Sequence, residues 1–146
     1  MIVSYDLELQ LLAGLIQHPD RYADIASFID EKDFCSETCK INRTFFCVLR
    51  QAIESGEKID EVIIAQRVKN YGITFEDNIS PFEYIESLSV KKVSAQSVSS
   101  VAKELKKYTV RREIAKCGAN LVTEMKRVSP SSTCKEILES ADKCYN

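Results

Sequence analysis

SAQSVSSVAKELKKYTVRREIAKCGANLVTEMKRV, residues 94–128, decides the fold. The stretch holds no proline, and its one glycine is Gly118. It predicts a single helix of roughly 33 residues, about 50 Å long at 1.5 Å per residue. Ser129, Pro130, Ser131 and Ser132 then break the helix. TCKE at 133–136 is a capping-box pattern, in which the threonine hydroxyl and the glutamate each satisfy a free N–H of the first turn. It opens another helix, with Ile137, Leu138, Ala141 and Cys144 on one side. Two helices joined by a tight loop form an antiparallel hairpin.

The apolar pattern of the long helix changes along its length. Its first half carries one stripe, Val98, Val101, Leu105 and Tyr108. Its second half carries two: Val110, Ile114, Cys117, Leu121, Met125 and Val128, then Ala115, Ala119 and Val122. One stripe suffices to pack a returning helix. A second leaves apolar surface that marks a partner site unless the hairpin folds back on its own bundle. Val110, Ile114, Cys117, Leu121 and Met125 are the expected seam between hairpins.

Upstream, shorter helices are expected. The first covers 4–17, with Leu7, Leu11, Leu12, Leu15 and Ile16 at helical spacing. Gly14 inside that pattern costs about 1 kcal/mol against alanine, so a close helix–helix contact is its expected reason. His18 and Pro19 end the helix. A short helix follows with Tyr22, Ile25, Ala26, Phe28 and Ile29 inward, and then a turn at Asp33 and Phe34. The next helix, 38–55, buries Ile41, Phe45, Val48, Leu49 and Ala52 and stops at Gly56. Asp60 caps a helix with Ile63, Ile64 and Val68 buried, ending near Tyr71 and Gly72. Residues 73–80 form a polar loop. SPFE at 80–83 starts a helix whose apolar side is Phe82, Tyr84, Ile85 and Leu88.

The expected fold is all-α: a compact bundle of about five or six short helices over 1–92, then a helical hairpin over 93–146, together one structural domain. Four glycines and three prolines are too few for a turn-rich β fold. A chain of 146 residues buries roughly two-thirds of its unfolded surface without a covalent staple.

Net charge −2 and pI near 5.5 argue against strong duplex DNA binding. MIVSYD at 1–6 has neither a basic segment nor an apolar run, and no stretch approaches the ~20 apolar residues that cross a bilayer. The chain is therefore expected in the cytoplasm, away from membranes. Six cysteines, Cys35, Cys39, Cys47, Cys117, Cys134 and Cys144, form no C-x-x-C pair, and His18 is the sole histidine. No metal site is expected, and the thiols are read as small apolar core fillers.

No catalytic group is expected either. His18 lacks an assignable partner. Asp30, Glu31 and Asp33 are read as a solvated turn rather than a magnesium site. Lys103, Lys106, Lys107, Arg111, Arg112 and Lys116 form a basic stretch. Lys103, Lys107 and Arg111, four apart, share one face; such a run is a solvated face, a contact for an acidic partner, or a DNA contact inside a collar, and the three are the candidates for the acidic partner.

Several segments, taken in order, carry a family resemblance. LELQLLAGLIQHP at 7–19 resembles the opening helix of DnaB-type replicative helicase N-terminal domains. Phe28 and Ile29 through Asp33 and Phe34 are similar to that family's acidic Asp-Phe segment. INRTF at 41–45, GEKID at 56–60, YIESL at 84–88 and RREI at 111–114 resemble further family motifs. Departures at 79–81, at 100–102 and in the lysine-rich start of the long helix point to a divergent, phage-encoded member.

The resemblance implies an N-terminal fragment of a longer helicase whose hairpins pair into a hexameric collar. It also implies primase, and in some members a helicase loader, as partners. No G-x-x-x-x-G-K-[ST] loop occurs in these 146 residues, so ATP and magnesium are expected only in a following motor domain, and no cofactor here. Two alternatives stay open. One is a free-standing regulatory protein of the same fold that binds helicase or primase. The other is a small helical nucleic-acid-binding protein.

Overall fold

The computed structural model describes all residues except 38–39, 74, 76–78 and 145–146. Among the described residues the chain is all-α, with no strand. Seven α-helices follow in order: α1 (Tyr5–Gln17), α2 (Tyr22–Ile25), α3 (Ile41–Glu54), α4 (Glu61–Asn70), α5 (Pro81–Ser89), α6 (Ser97–Arg127) and α7 (Cys134–Lys143). Short 3-10 turns occupy Pro19–Arg21 and Glu31–Asp33. The chain divides into two compact units, Met1–Thr109 and Val110–Asn146. The division falls inside α6, downstream of the change of character at 92–93 in the sequence pattern.

In the first unit the helix starts follow local chemistry. The Ser4 hydroxyl accepts from Leu7 N at 3.3 Å, Asp60 Oδ1 accepts from Val62 N and Ile63 N at 2.9 and 3.1 Å, and the Ser80 hydroxyl accepts from Glu83 N at 3.2 Å. Each uses a side-chain oxygen to satisfy N–H groups that have no partner within the helix. At the end of α3, Gly56 takes a φ of 73°, Gly56 N donates to Ile53 O, and Glu57 N donates to Ala52 O. These two bonds close the helix in the left-handed manner that glycine permits. Lys40 enters α3 in the left-handed region, φ 58°. The Thr38 start expected for this helix lies outside the described residues.

The core runs from α1 through α3, α4 and α5 to the first turns of α6. Leu11, Leu12, Leu15, Phe45, Phe46, Leu49, Ile64, Ile85, Leu88 and Leu105 are fully buried in it. Each such side chain contributes about 1.5–3 kcal/mol by leaving water. Phe34 stacks on Phe46 with centroids 4.6 Å apart, and Phe45 on Tyr84 at 5.1 Å. Phe75 meets Phe45 and Tyr84 edge-on, so the loop expected to be polar contributes an aromatic to the core. Gly14 is the contact point expected of it. A Cβ there would lie 2.9 Å from Val98 Cγ2 and 3.3 Å from Val93 Cγ1.

Four expectations about burial are corrected. Ala26 and Ile63 are exposed, because α2 ends at Ile25 and because Ile64 and Ala65, not Ile63, point at the core. Among the described cysteines none is a core filler: Cys35, Cys47, Cys117 and Cys144 are half-buried and Cys134 is exposed. Asp33, read as part of a solvated turn, is fully buried. Its Oδ2 accepts from Asp30 N at 2.9 Å, and its Oδ1 accepts from the Thr109 hydroxyl and, at 3.5 Å, from Lys106 Nζ.

A second buried carboxylate, Glu8, has no warning in the helical pattern beyond its neighbours' apolarity. Its oxygens accept from Cys35 N, Ser36 N, the Ser36 hydroxyl and Asn42 Nδ2 at 2.7–3.2 Å. Asn42 Oδ1 in turn accepts from the Tyr84 hydroxyl. His18, without a partner in the sequence reading, donates from Nε2 to Val93 O at 2.7 Å. Gln17 Nε2 donates to the carbonyls of Leu88, Ser89 and Lys91, occupying acceptors at the end of α5.

Candidate assembly surface

The second unit consists of the distal part of α6 and all of α7. Without proline between 94 and 128, α6 continues to Arg127. Pro130 lacks an N–H and stops it from going further. Ser132 N donates to Ser129 O at 3.0 Å, which tightens the connection. The Thr133 hydroxyl then accepts from Glu136 N at 3.2 Å and donates to Glu136 Oε1 at 3.2 Å, which starts α7. Asn120 and Thr123 line one cleft with Lys143 and Cys144, while Val128 shares another with Ser132, Glu136 and Ile137. That pairing of far end with far end and near end with near end makes the hairpin antiparallel.

Cys117, Leu121, Met125 and Val128 on α6 are half-buried, as are Ile137, Ser140, Ala141 and Cys144 on α7. No described residue of this unit reaches full burial. Val110 and Ile114 are exposed, Ile114 by 59%, and so are Ala115, Ala119 and Val122, the last by 54%. Leu138 on α7 is 66% exposed. Of the five expected seam residues, the structure therefore places Val110 and Ile114 in the open and Cys117, Leu121 and Met125 partly covered. Val122, from the second stripe, and Leu138 on α7 are exposed apolar side chains as well. Leu138 was expected to face inward with Ile137, but α7 turns Ile137 toward α6 and leaves Leu138 outside.

The basic stretch is divided by its contacts. Lys103 and Lys107 are exposed in the first unit and Arg111 in the second. Lys107 donates to Glu104 at 2.7 Å, and Lys106 reaches into the bundle to Asp33. Ion pairing in cis lowers the positive field this face offers to a polyanion. Among the described residues no group of three or more His, Cys, Asp or Glu is placed to hold a metal ion, and no helix is long and apolar enough to cross a membrane.

These features define a class: an all-helical chain with one cored bundle unit and one two-helix unit in which no described residue is fully buried. The model of the family described as "DnaB-like helicase N terminal domain" matches residues 2–107, and the chain belongs to that family. The crystal structure of the N-terminal domain of DnaB helicase from Mycobacterium tuberculosis superposes with a TM-score of 0.77, covering 99% of this chain and 98% of that one at 16% identity. At that identity the likeness speaks for the fold alone. Domains of this family are non-catalytic parts of helicases and generally oligomerise.

Proposed function

We propose that this chain is the assembly and partner-docking domain of a replicative DNA helicase, acting in the bacterial cytoplasm. Its hairpin pairs with hairpins of neighbouring copies to build a collar, and the motor that uses ATP and magnesium belongs to another domain. The observation that carries this reading is that no described residue of the hairpin is fully buried, combined with exposed Val110, Ile114, Val122 and Leu138 on its two helices. A two-helix unit cannot cover its own apolar stripes, and association removes that surface from water at roughly 25 cal/mol per Å². Ile114→Asp and Leu121→Asp place a charge in the seam. Sedimentation velocity is expected to show self-association lost in both, with helicity of the bundle retained. An unchanged oligomer in both variants would move the seam elsewhere.

Lys103, Lys107 and Arg111 are the proposed contact for an acidic face of primase or a helicase loader. Such rim charges act on association rate and salt dependence more than on final affinity. Reversing Lys103 and Lys107 to Glu is expected to slow primase capture at low salt and to leave self-association intact. Equal capture rates across salt would remove these residues from the docking face. The net charge of −2 tells against nucleic-acid binding as the main role.

A further inference from the structure

Asp33 sits where α6 stops being a core helix. Val98, Val101, Ala102, Leu105 and Thr109 are its buried residues, and none follows Thr109. The last buried contact is polar. The Asp33 carboxylate, fully excluded from solvent, accepts from the Thr109 hydroxyl, from Lys106 Nζ at 3.5 Å and from Asp30 N at 2.9 Å. The 3-10 turn that presents Asp33 is held in turn by the Asp30 side chain accepting from Lys32 N. An apolar contact at this position would tolerate sliding or rotation of α6, because burial has no direction. A buried carboxylate tolerates neither. Displacing Thr109 and Lys106 would leave Oδ1 of the buried carboxylate without its two partners on α6, with only the Asp30 N–H still bonded at Oδ2.

We propose that Asp33 is a register lock: it selects one rotational and axial setting of α6 on the bundle and so fixes the point at which the helix leaves it. The leucine and valines before Thr109 provide adhesion, and Asp33 provides the choice among nearly equivalent packings. Buried polar groups in helical assemblies serve registry in this way at some cost in stability. Asp33 acts through Thr109 and Lys106 and is a positioning residue.

The test uses the whole chain and does not depend on self-association, so it stands or falls apart from the collar. Asp33→Leu combined with Thr109→Val replaces the lock by apolar contact of similar volume. Backbone-amide NMR is expected to show doubled or broadened resonances over 98–109 and at least tenfold faster amide exchange there, with α3 and α4 unchanged. Asp33→Asn, which keeps an acceptor for Thr109, is expected to show neither. If the double variant does not fold, Thr109→Val alone, which puts a methyl group in place of the hydroxyl, carries the same comparison. A single sharp set of α6 resonances with parental exchange would overturn the proposal. Acceleration spread equally over α3, α4 and α6 would overturn it too, since that reports general destabilisation.

Discussion

Gly14 allows α1 and the start of α6 to touch through Val98, where any side chain would intrude. Alanine is the better helix former by about 1 kcal/mol, yet its Cβ would press on a stiff, fully buried valine. Overpacking of this kind costs about 1–3 kcal/mol and outweighs the propensity gain. Gly14→Ala is therefore expected to lower the thermal midpoint, and adding Val98→Ala to recover part of it; a stabilised single variant would contradict the contact. Tyr22 is the other residue with a measurable signature. Burial, then the hydrogen bond to Glu54 at 2.9 Å, pushes its phenol up to about 12 from the ordinary 10. The folded chain thus holds this proton more tightly than the unfolded chain. The resulting stability, on the order of 2 kcal/mol, is whole below pH 10 and is lost as pH rises through about 12. Denaturant titrations should show stability falling between those values, with a shallower fall in Tyr22→Phe. An identical slope in that variant would exclude Tyr22 as a source.

At the scale of elements, the caps determine where helices start. Asp60 satisfies two N–H groups of α4 and is solvent-accessible, so Asp60→Ala is expected to cost about 1 kcal/mol and to loosen α4 before the rest. A denaturation midpoint unchanged from the parent would show that water replaces the cap without loss. These starts were legible in sequence because Ser4, Asp60, Ser80 and Thr133 act on residues two or three positions away. The apolar stripes of α3 and α6 were legible for the same reason, since periodicity is local. Long-range polar pairing was not. Glu8 reaches Ser36 and Asn42, and Asp33 reaches Thr109, across 28 to 76 residues of chain. Nothing in the spacing around either carboxylate signals a partner so distant. The exposure of Ile63 and Leu138 escaped for a related reason. In a run of adjacent apolar residues only the tertiary direction of the helix selects the buried one.

At the scale of the molecule, burial is unequally distributed. The first unit has a continuous aromatic and aliphatic core, and the polar residues buried in it, Glu8, Asp33, Asn42 and Thr109, are hydrogen-bonded. The second is two helices with half-covered side chains, and none of its described residues is fully buried. Such a hairpin is marginal alone, since helices in water derive most of their stability from packing of an apolar face. The central claim is that this unit acquires an interior only from another copy. Hydrogen exchange of the intact chain at high and low concentration tests that claim most directly. Amides of Val110 to Arg127 are expected to be protected when concentrated and to exchange much faster on dilution, while those of α1 and α3 stay the same. Equal protection of the hairpin at both concentrations would contradict the account.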